Sequence, residues 1–136
     1  MWLFTKVGFF SAVQCGPETP HESKAFPKMK TGEMATDFLT IRARIAGDLE
    51  RLRADYAPEL GPTIELPGRD YPYRAYIRKE QFAAALCRAS LDIDYGNFKD
   101  MITREFGNFR HNLYAKVWSV MYGADAKLEG ESARRR

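Results

Sequence analysis

From Thr36 to Ile45 the chain reads TDFLTIRARI, and no other stretch constrains the fold as tightly. Leu39, Ile41, Ala43 and Ile45 alternate with Phe38, Thr40, Arg42 and Arg44, a period of two that only an extended strand converts into one apolar and one polar face. Residues 71–78 repeat the pattern, with Tyr73, Ala75 and Ile77 opposite Arg74, Tyr76 and Arg78. Strands of this kind demand a sheet, and a sheet with one apolar face demands helices to cover it.

The intervening chain supplies them. Gly47-Asp48 offers an N-cap to a helix carrying Leu49, Leu52, Tyr56 and Leu60, which Pro58 and Gly61-Pro62 close. A short strand at residues 63–66 and the turn Pro67-Gly68-Arg69-Asp70 make residues 63–78 a hairpin. Residues 79–91 have strong helix formers and an apolar stripe of Phe82, Ala85, Leu86, Ala89 and Ile93. Asp94 is the expected cap of a helix over residues 95–106, with Phe98, Met101 and Ile102 inward. Asn108 is the expected cap of a last helix whose Phe109, Leu113, Val117, Trp118 and Met121 read as core.

At the other end, the aromatic and β-branched residues 2–14 predict one long strand bulged at Gly8, or a tight hairpin. The order strand, loop, strand, helix, strand, strand, helix, then two helices predicts an α+β fold. Its antiparallel sheet is ferredoxin-like, with the N-terminal strand completing it and two extra C-terminal helices. Residues 1–123 read as one such domain. Within it, residues 16–32 carry three prolines, scattered charges and no periodicity, a mobile surface loop by composition. Residues 124–136 end in three arginines and read as a flexible tail.

Composition enters where function is concerned. The 136 residues are 45% hydrophobic and 29% charged, with mean hydropathy −0.45, which excludes a wholly disordered chain. No segment approaches the roughly 20 apolar residues of a spanning helix, so no membrane partner is expected. The N-terminus lacks a basic start, Lys6 interrupts its apolar run, and Gln14 is a poor residue before a cleavage site. Cys15 and Cys87 stand far apart and read as free thiols of a reducing cytoplasm. The net charge of +3, from 21 basic and 18 acidic residues, says little until the charges are placed.

Placed on the strands, they converge. Arg42, Arg44, Arg74 and Arg78, interleaved with Phe38 and Tyr76, fall on the sheet face opposite the helices after Ile45 and Arg78, while Asp48, Glu50, Asp55 and Glu59 ride on the helix behind. Guanidinium groups pair with phosphates and aromatic rings stack on bases, so this face points to single-stranded RNA or DNA, or to an acidic protein surface. The plain alternative is that these arginines pair with acids on the C-terminal helices or alternate on a solvated face. The aromatic-glycine signature of an RNA-recognition motif is missing from the strands.

Catalytic signals are thinner. Asp92 and Asp94, with Asp100 and Glu105, form the one carboxylate cluster suited to a Mg²⁺-dependent nuclease or hydrolase, but Gly96 and Thr103 break the pattern of a calcium loop. His111 would serve as general acid or base if Asp70, Tyr71 or Tyr73 approached it. No phosphate-cradling glycine loop, nucleophile motif or zinc-ligand spacing is present. The expectation is therefore a non-enzymatic binding or regulatory module, with no cofactor and no metal. An accessory or inhibitor protein that docks on a larger complex is the second reading, and a homodimer built on an excess of the last helix's apolar stripe is an open arrangement.

Trp2-Leu3-Phe4-Thr5 with Gly8-Phe9-Phe10-Ser11, Asp70-Tyr71-Pro72-Tyr73-Arg74, Asp92-Ile93-Asp94-Tyr95 with Asn97-Phe98-Lys99, and Val117-Trp118-Ser119-Val120-Met121-Tyr122 resemble a family of small uncharacterised bacterial proteins. The resemblance covers the first strand and roughly residues 63–122. It implies a bacterial or phage cytoplasmic protein and carries no catalytic residues with it. Residues 16–32 hold none of these motifs and look like an insertion.

Overall fold

Thr5 starts the fold by folding back on itself: its Oγ1 accepts from the Val7 and Gly8 amides, both at 3.2 Å. That turn joins β1 (Trp2–Thr5) to β2 (Gly8–Gln14) as an antiparallel hairpin, with Trp2 opposite Ser11 and Phe4 opposite Phe9. Of the two arrangements the sequence allowed, the tight hairpin is the one formed in this computed structural model, which describes residues 1–16, 19, 24–124 and 128. The chain divides into two compact units, residues 1–93 and 94–136.

In the first unit a 3-10 turn (Ala35–Asp37) leads into β3 (Phe38–Ala43), then α1 (Ala46–Asp55), β4 (Ile64–Glu65), β5 (Tyr73–Arg78) and α2 (Lys79–Leu91). The strands form one antiparallel sheet in the order β1-β2-β3-β5-β4. The fold is α+β, with five strands and four α-helices among the described residues. The alternation of β3 and β5 keeps its register, Ile41 opposite Ala75 and Arg42 opposite Arg74. Its apolar side, with Phe10, Ile41, Ala43, Ala75 and Ile77, packs against Leu49, Leu52 and Tyr56 of the α1 region and Phe82 and Ala85 of α2.

Asp48 departs from expectation. The N-cap of α1 is Ile45, and Asp48 sits in the first turn, buried rather than riding on a solvated surface. Its Oδ2 accepts the Phe9 amide at 3.1 Å, and Arg51 donates to its Oδ1 while giving its Nε to the Val7 carbonyl at 3.0 Å. A Cβ on Gly8 would stand 2.4 Å from the Asp48 carboxyl carbon, so the hairpin approaches the helix only because residue 8 is glycine.

The second face of the sheet is covered at one end by the chain itself. Phe26 lies on Phe38 and Tyr76, ring centroids 4.9 and 5.1 Å away, and closes a small core with Cys15, flanked by Met29 and Ile64. Residues 24–37 thus form a strap, and over residues 24–32 it stands where the sequence predicts a mobile surface loop; the rest of that loop, apart from Gly16 and Thr19, lies outside the described residues.

The second unit is a helical hairpin, α3 (Phe98–Phe106) and α4 (Asn108–Tyr122). Asn97, not Asp94, caps α3, its side chain accepting the Lys99 and Asp100 amides. The carboxamide is three residues closer to the first free amides, where a cap must sit. Gly107, at φ 82°, ends α3 and takes the N-cap place of α4 expected of Asn108. Met101, Ile102 and Tyr114 are buried, whereas Phe109, Leu113, Val117, Trp118 and Met121, read as core in the sequence, are exposed. The inward side of α4 is the one bearing Tyr114, which stacks on Phe98. The tail beyond residue 124 lies outside the described residues except for Leu128.

Candidate functional site

The strap divides the six residues expected to make a binding face. Phe38 and Tyr76 are buried beneath Phe26, so neither is an open stacking platform: an intramolecular ring occupies that position. Burial pushes the Tyr76 hydroxyl pKa up, with the Cys15 sulfur adding to the rise. Arg78 is turned inward as well. Its Nε and Nη2 donate to the two carboxylate oxygens of Glu33 at 2.7 and 3.1 Å, and Nη2 also donates to the Lys28 carbonyl at 2.7 Å. The hydrogen bonds from Arg78 and from the Lys30 amide hold the Glu33 carboxyl down at about 2, and the same pair raises Arg78. Such a fork-to-fork pair closes the strap rather than offering a cation to solvent.

Arg42, Arg44 and Arg74 lie at the other end of the face, beyond the strap. Cross-strand register sets Trp2, Ser11, Arg42 and Arg74 in one row. The Arg42 Nη2 donates to Ser11 Oγ at 2.7 Å, and its guanidinium stands 4.8 Å over the Tyr71 ring. Arg44 stands 4.9 Å over the same ring and pairs with Asp70 at 3.1 Å. Arg74 donates from Nε to the Tyr71 carbonyl at 3.4 Å. Tyr71 is itself buried and works as the post on which the cations are mounted. The Nε of Arg42 is buried with no hydrogen-bond partner among the described residues.

Aromatic side chains extend this cationic end toward the sheet edge. Phe9 sits 6.4 Å from Tyr71, Phe4 stacks on Phe9 at 4.5 Å, and Trp2 meets Phe9 edge-on at 6.1 Å. Trp2 is 68% exposed, which makes it the open ring of the group. Reading the central strands alone does not bring Trp2, Phe4, Phe9 and Tyr71 to this face. The signal was present in the alternation of residues 8–11, which places Phe9 and Ser11 on one side of β2.

The catalytic candidates are engaged within their own units. Asp92 accepts the Tyr56 hydroxyl at 2.5 Å and pairs with Lys6 at 3.6 Å, which ties the end of α2 to α1 and the first hairpin. Asp94 pairs with Arg104 at 3.6 Å. His111 Nδ1 lies 3.0 Å from the Lys99 carbonyl and 2.7 Å from Thr103 Oγ1. Since a carbonyl only accepts, this ring nitrogen carries its proton and pins α4 to α3. Among the described residues no three His, Cys, Asp or Glu side chains group closely enough to hold a metal ion. Cys15 is a buried thiol 3.2 Å from Thr40 Oγ1, its pKa raised by burial, and so is a poor nucleophile. No helix among the described residues is long and apolar enough to cross a membrane.

No protein-family model, curated protein or solved structure matches the chain.

Proposed function

We propose that this chain is a non-enzymatic binding module that takes single-stranded nucleic acid across the uncovered end of its sheet. Trp2, and Phe9 beside it, serve as the stacking surface, and Arg44, with Arg42 and Arg74 behind it, meets the phosphates. The observation that carries the reading is the mounting of two guanidinium groups on Tyr71 next to an exposed tryptophan on the same face. Stacking is tolerant of base identity and cations track the backbone, so the expected ligand is a short single strand bound without strong sequence preference.

The same reading takes the sheet as ferredoxin-like. β5 lies between β3 and β4, as in a split β-α-β unit, and β2 holds the place beside β3 that a final strand normally fills, with β1 outside it. Cys15 and Cys87 as unpaired thiols suit a reducing compartment.

Fluorescence anisotropy with labelled oligo(U) and oligo(dT) at two salt concentrations tests the proposal. Trp2→Ala is expected to weaken binding about fivefold or more, the loss of one stacked base. Arg44→Ala is expected to reduce the slope of log affinity against log salt by about 0.7, one phosphate contact on a single strand. Affinity that ignores salt and both substitutions would overturn the proposal.

A further inference from the structure

Helix α4 carries seven of the fifteen large apolar side chains exposed among the described residues, and their arrangement is ordered. At about 100° per residue, Phe109, Leu113, Val117 and Val120 fall within one narrow arc. Tyr114 and His111, which hold α4 to α3, lie outside it, about 60° and 120° beyond Val117. Phe109 is 86% and Val120 74% exposed, so the stripe has the look of half of a helix pair.

The charges beside it say what the other half must be. Arg110, whose guanidinium lies 4.2 Å over the Phe106 ring of α3, borders the stripe next to Val117, and Lys116 borders it next to Phe109, each about 20° beyond the arc. Between Asn108 and Tyr122 there is no Asp or Glu. A second copy laid on this stripe would set cations against cations in either direction of pairing, because both borders are basic. We propose that the α4 stripe docks an amphipathic helix of a partner protein, one whose own apolar stripe is bordered by carboxylates. This surface belongs to residues 94–124 and is independent of the nucleic-acid reading, which concerns the sheet of the first unit.

Two labelled synthetic helical peptides with the same leucine and isoleucine stripe, one bordered by Glu and one by Lys, serve as probes of the full chain by fluorescence anisotropy. The Glu-bordered peptide is expected to bind about tenfold more tightly than the Lys-bordered one, through steering and pairing of the border charges. Val120→Glu should abolish that binding. Because residue 120 is exposed, an unchanged circular dichroism spectrum will separate lost docking from lost folding. Arg110→Glu with Lys116→Glu should reverse the preference between the peptides. Equal affinities, or no binding of either peptide, would overturn the proposal. So would self-association in analytical ultracentrifugation that Val120→Glu removes, which assigns the stripe to a second copy. Vesicle binding that requires anionic lipid and is lost in Val120→Glu would overturn it in favour of a membrane surface.

Discussion

Glu33 meets Arg78 across 45 positions of sequence, one carboxylate oxygen on Nε and the other on Nη2. This pair decides which part of the second sheet face is available. It fastens the strap whose Phe26 covers Phe38 and Tyr76, and it leaves the Arg42 and Trp2 end uncovered.

The pair makes stability depend on pH in a stated window. Glu33 has a folded pKa of about 2 against an ordinary value of 4.5. The unfolded chain therefore binds the proton first as pH falls, and the stabilisation is complete above pH 4.5 and is lost progressively down to about 2. Glu33→Gln removes this contribution. Thermal melts at neutral pH and at pH 3 are expected to show a smaller acid-induced drop in Tm for Glu33→Gln than for the parent, beyond the loss both share from other carboxylates. An identical drop in the two proteins would mean the pair does not hold the strap in solution.

Thiol chemistry reads the strap directly. Cys87 is exposed and Cys15 buried, under the ring of Phe26 and with its pKa raised by that burial. Ellman's reagent at mildly alkaline pH should label Cys87 at once and Cys15 only at the rate of opening. Phe26→Ala, at a cost of about 3 kcal/mol for a deleted buried ring, should bring Cys15 into the fast phase while Cys87 is unaffected. Equal and rapid labelling of both thiols in the parent protein would show that Phe26 does not cover this face.

Much of the sheet was legible because its code is local. A period of two in β3 and β5 sets faces without knowledge of partners, and the run from Lys79 to Leu91 forms the helix its propensities predict. The strap was not legible. Phe26 stands among prolines and charges with no periodic neighbours, and its burial depends on a pairing of Glu33 with Arg78 that no short window contains. The same blindness misassigned Phe38 and Tyr76 to an open surface. On α4 the difficulty was different: apolar residues surround most of the helix, so periodicity could not say which of them faces α3, and the contacts of Tyr114, His111 and Trp118 with α3 decide it.

Gly8 and Asp48 should prove coupled. Gly8→Ala places a methyl group against the Asp48 side chain at a backbone φ of 150°, and is expected to cost about 2 kcal/mol from strain and overpacking. Asp48→Ala leaves the Phe9 amide without its acceptor and removes the carboxylate partner of Arg51, which keeps its bond to the Val7 carbonyl, again at about 2 kcal/mol, the scale for a buried hydrogen bond to a charge. In the double variant the carboxylate part of the clash is gone, while the Cβ of residue 48, 2.7 Å from the added methyl, stays, so denaturant melts should give a combined loss smaller than the sum of the two single losses by about 1 kcal/mol. Strict additivity would mean that the hairpin and α1 do not touch at this point.

Arg42 and Arg44 rest on one ring yet should behave as different kinds of residue. Arg44 is an exposed cation paired with an exposed Asp70, and pairs of that kind contribute about 0–1 kcal/mol. Arg44→Ala should leave Tm nearly unchanged and lower nucleic-acid affinity through its salt dependence. Arg42 is half-buried, bonded to the buried Ser11 hydroxyl and laid across Tyr71. Arg42→Ala leaves that hydroxyl without its donor and opens space beside the ring, a loss of about 1–3 kcal/mol, so its effect on binding should follow its effect on stability. Arg42→Lys separates charge from shape: the ammonium keeps the cation but not the planar stack on Tyr71. Stability should then stay low, while the salt slope of binding equals the parent's in both Arg42→Ala and Arg42→Lys, since Arg44 makes the phosphate contact. If instead Arg42→Ala lowers the salt slope and Arg42→Lys, which keeps the cation, regains it, Arg42 and not Arg44 is the phosphate contact, and the binding surface lies deeper on the sheet, over Ser11 and Arg74.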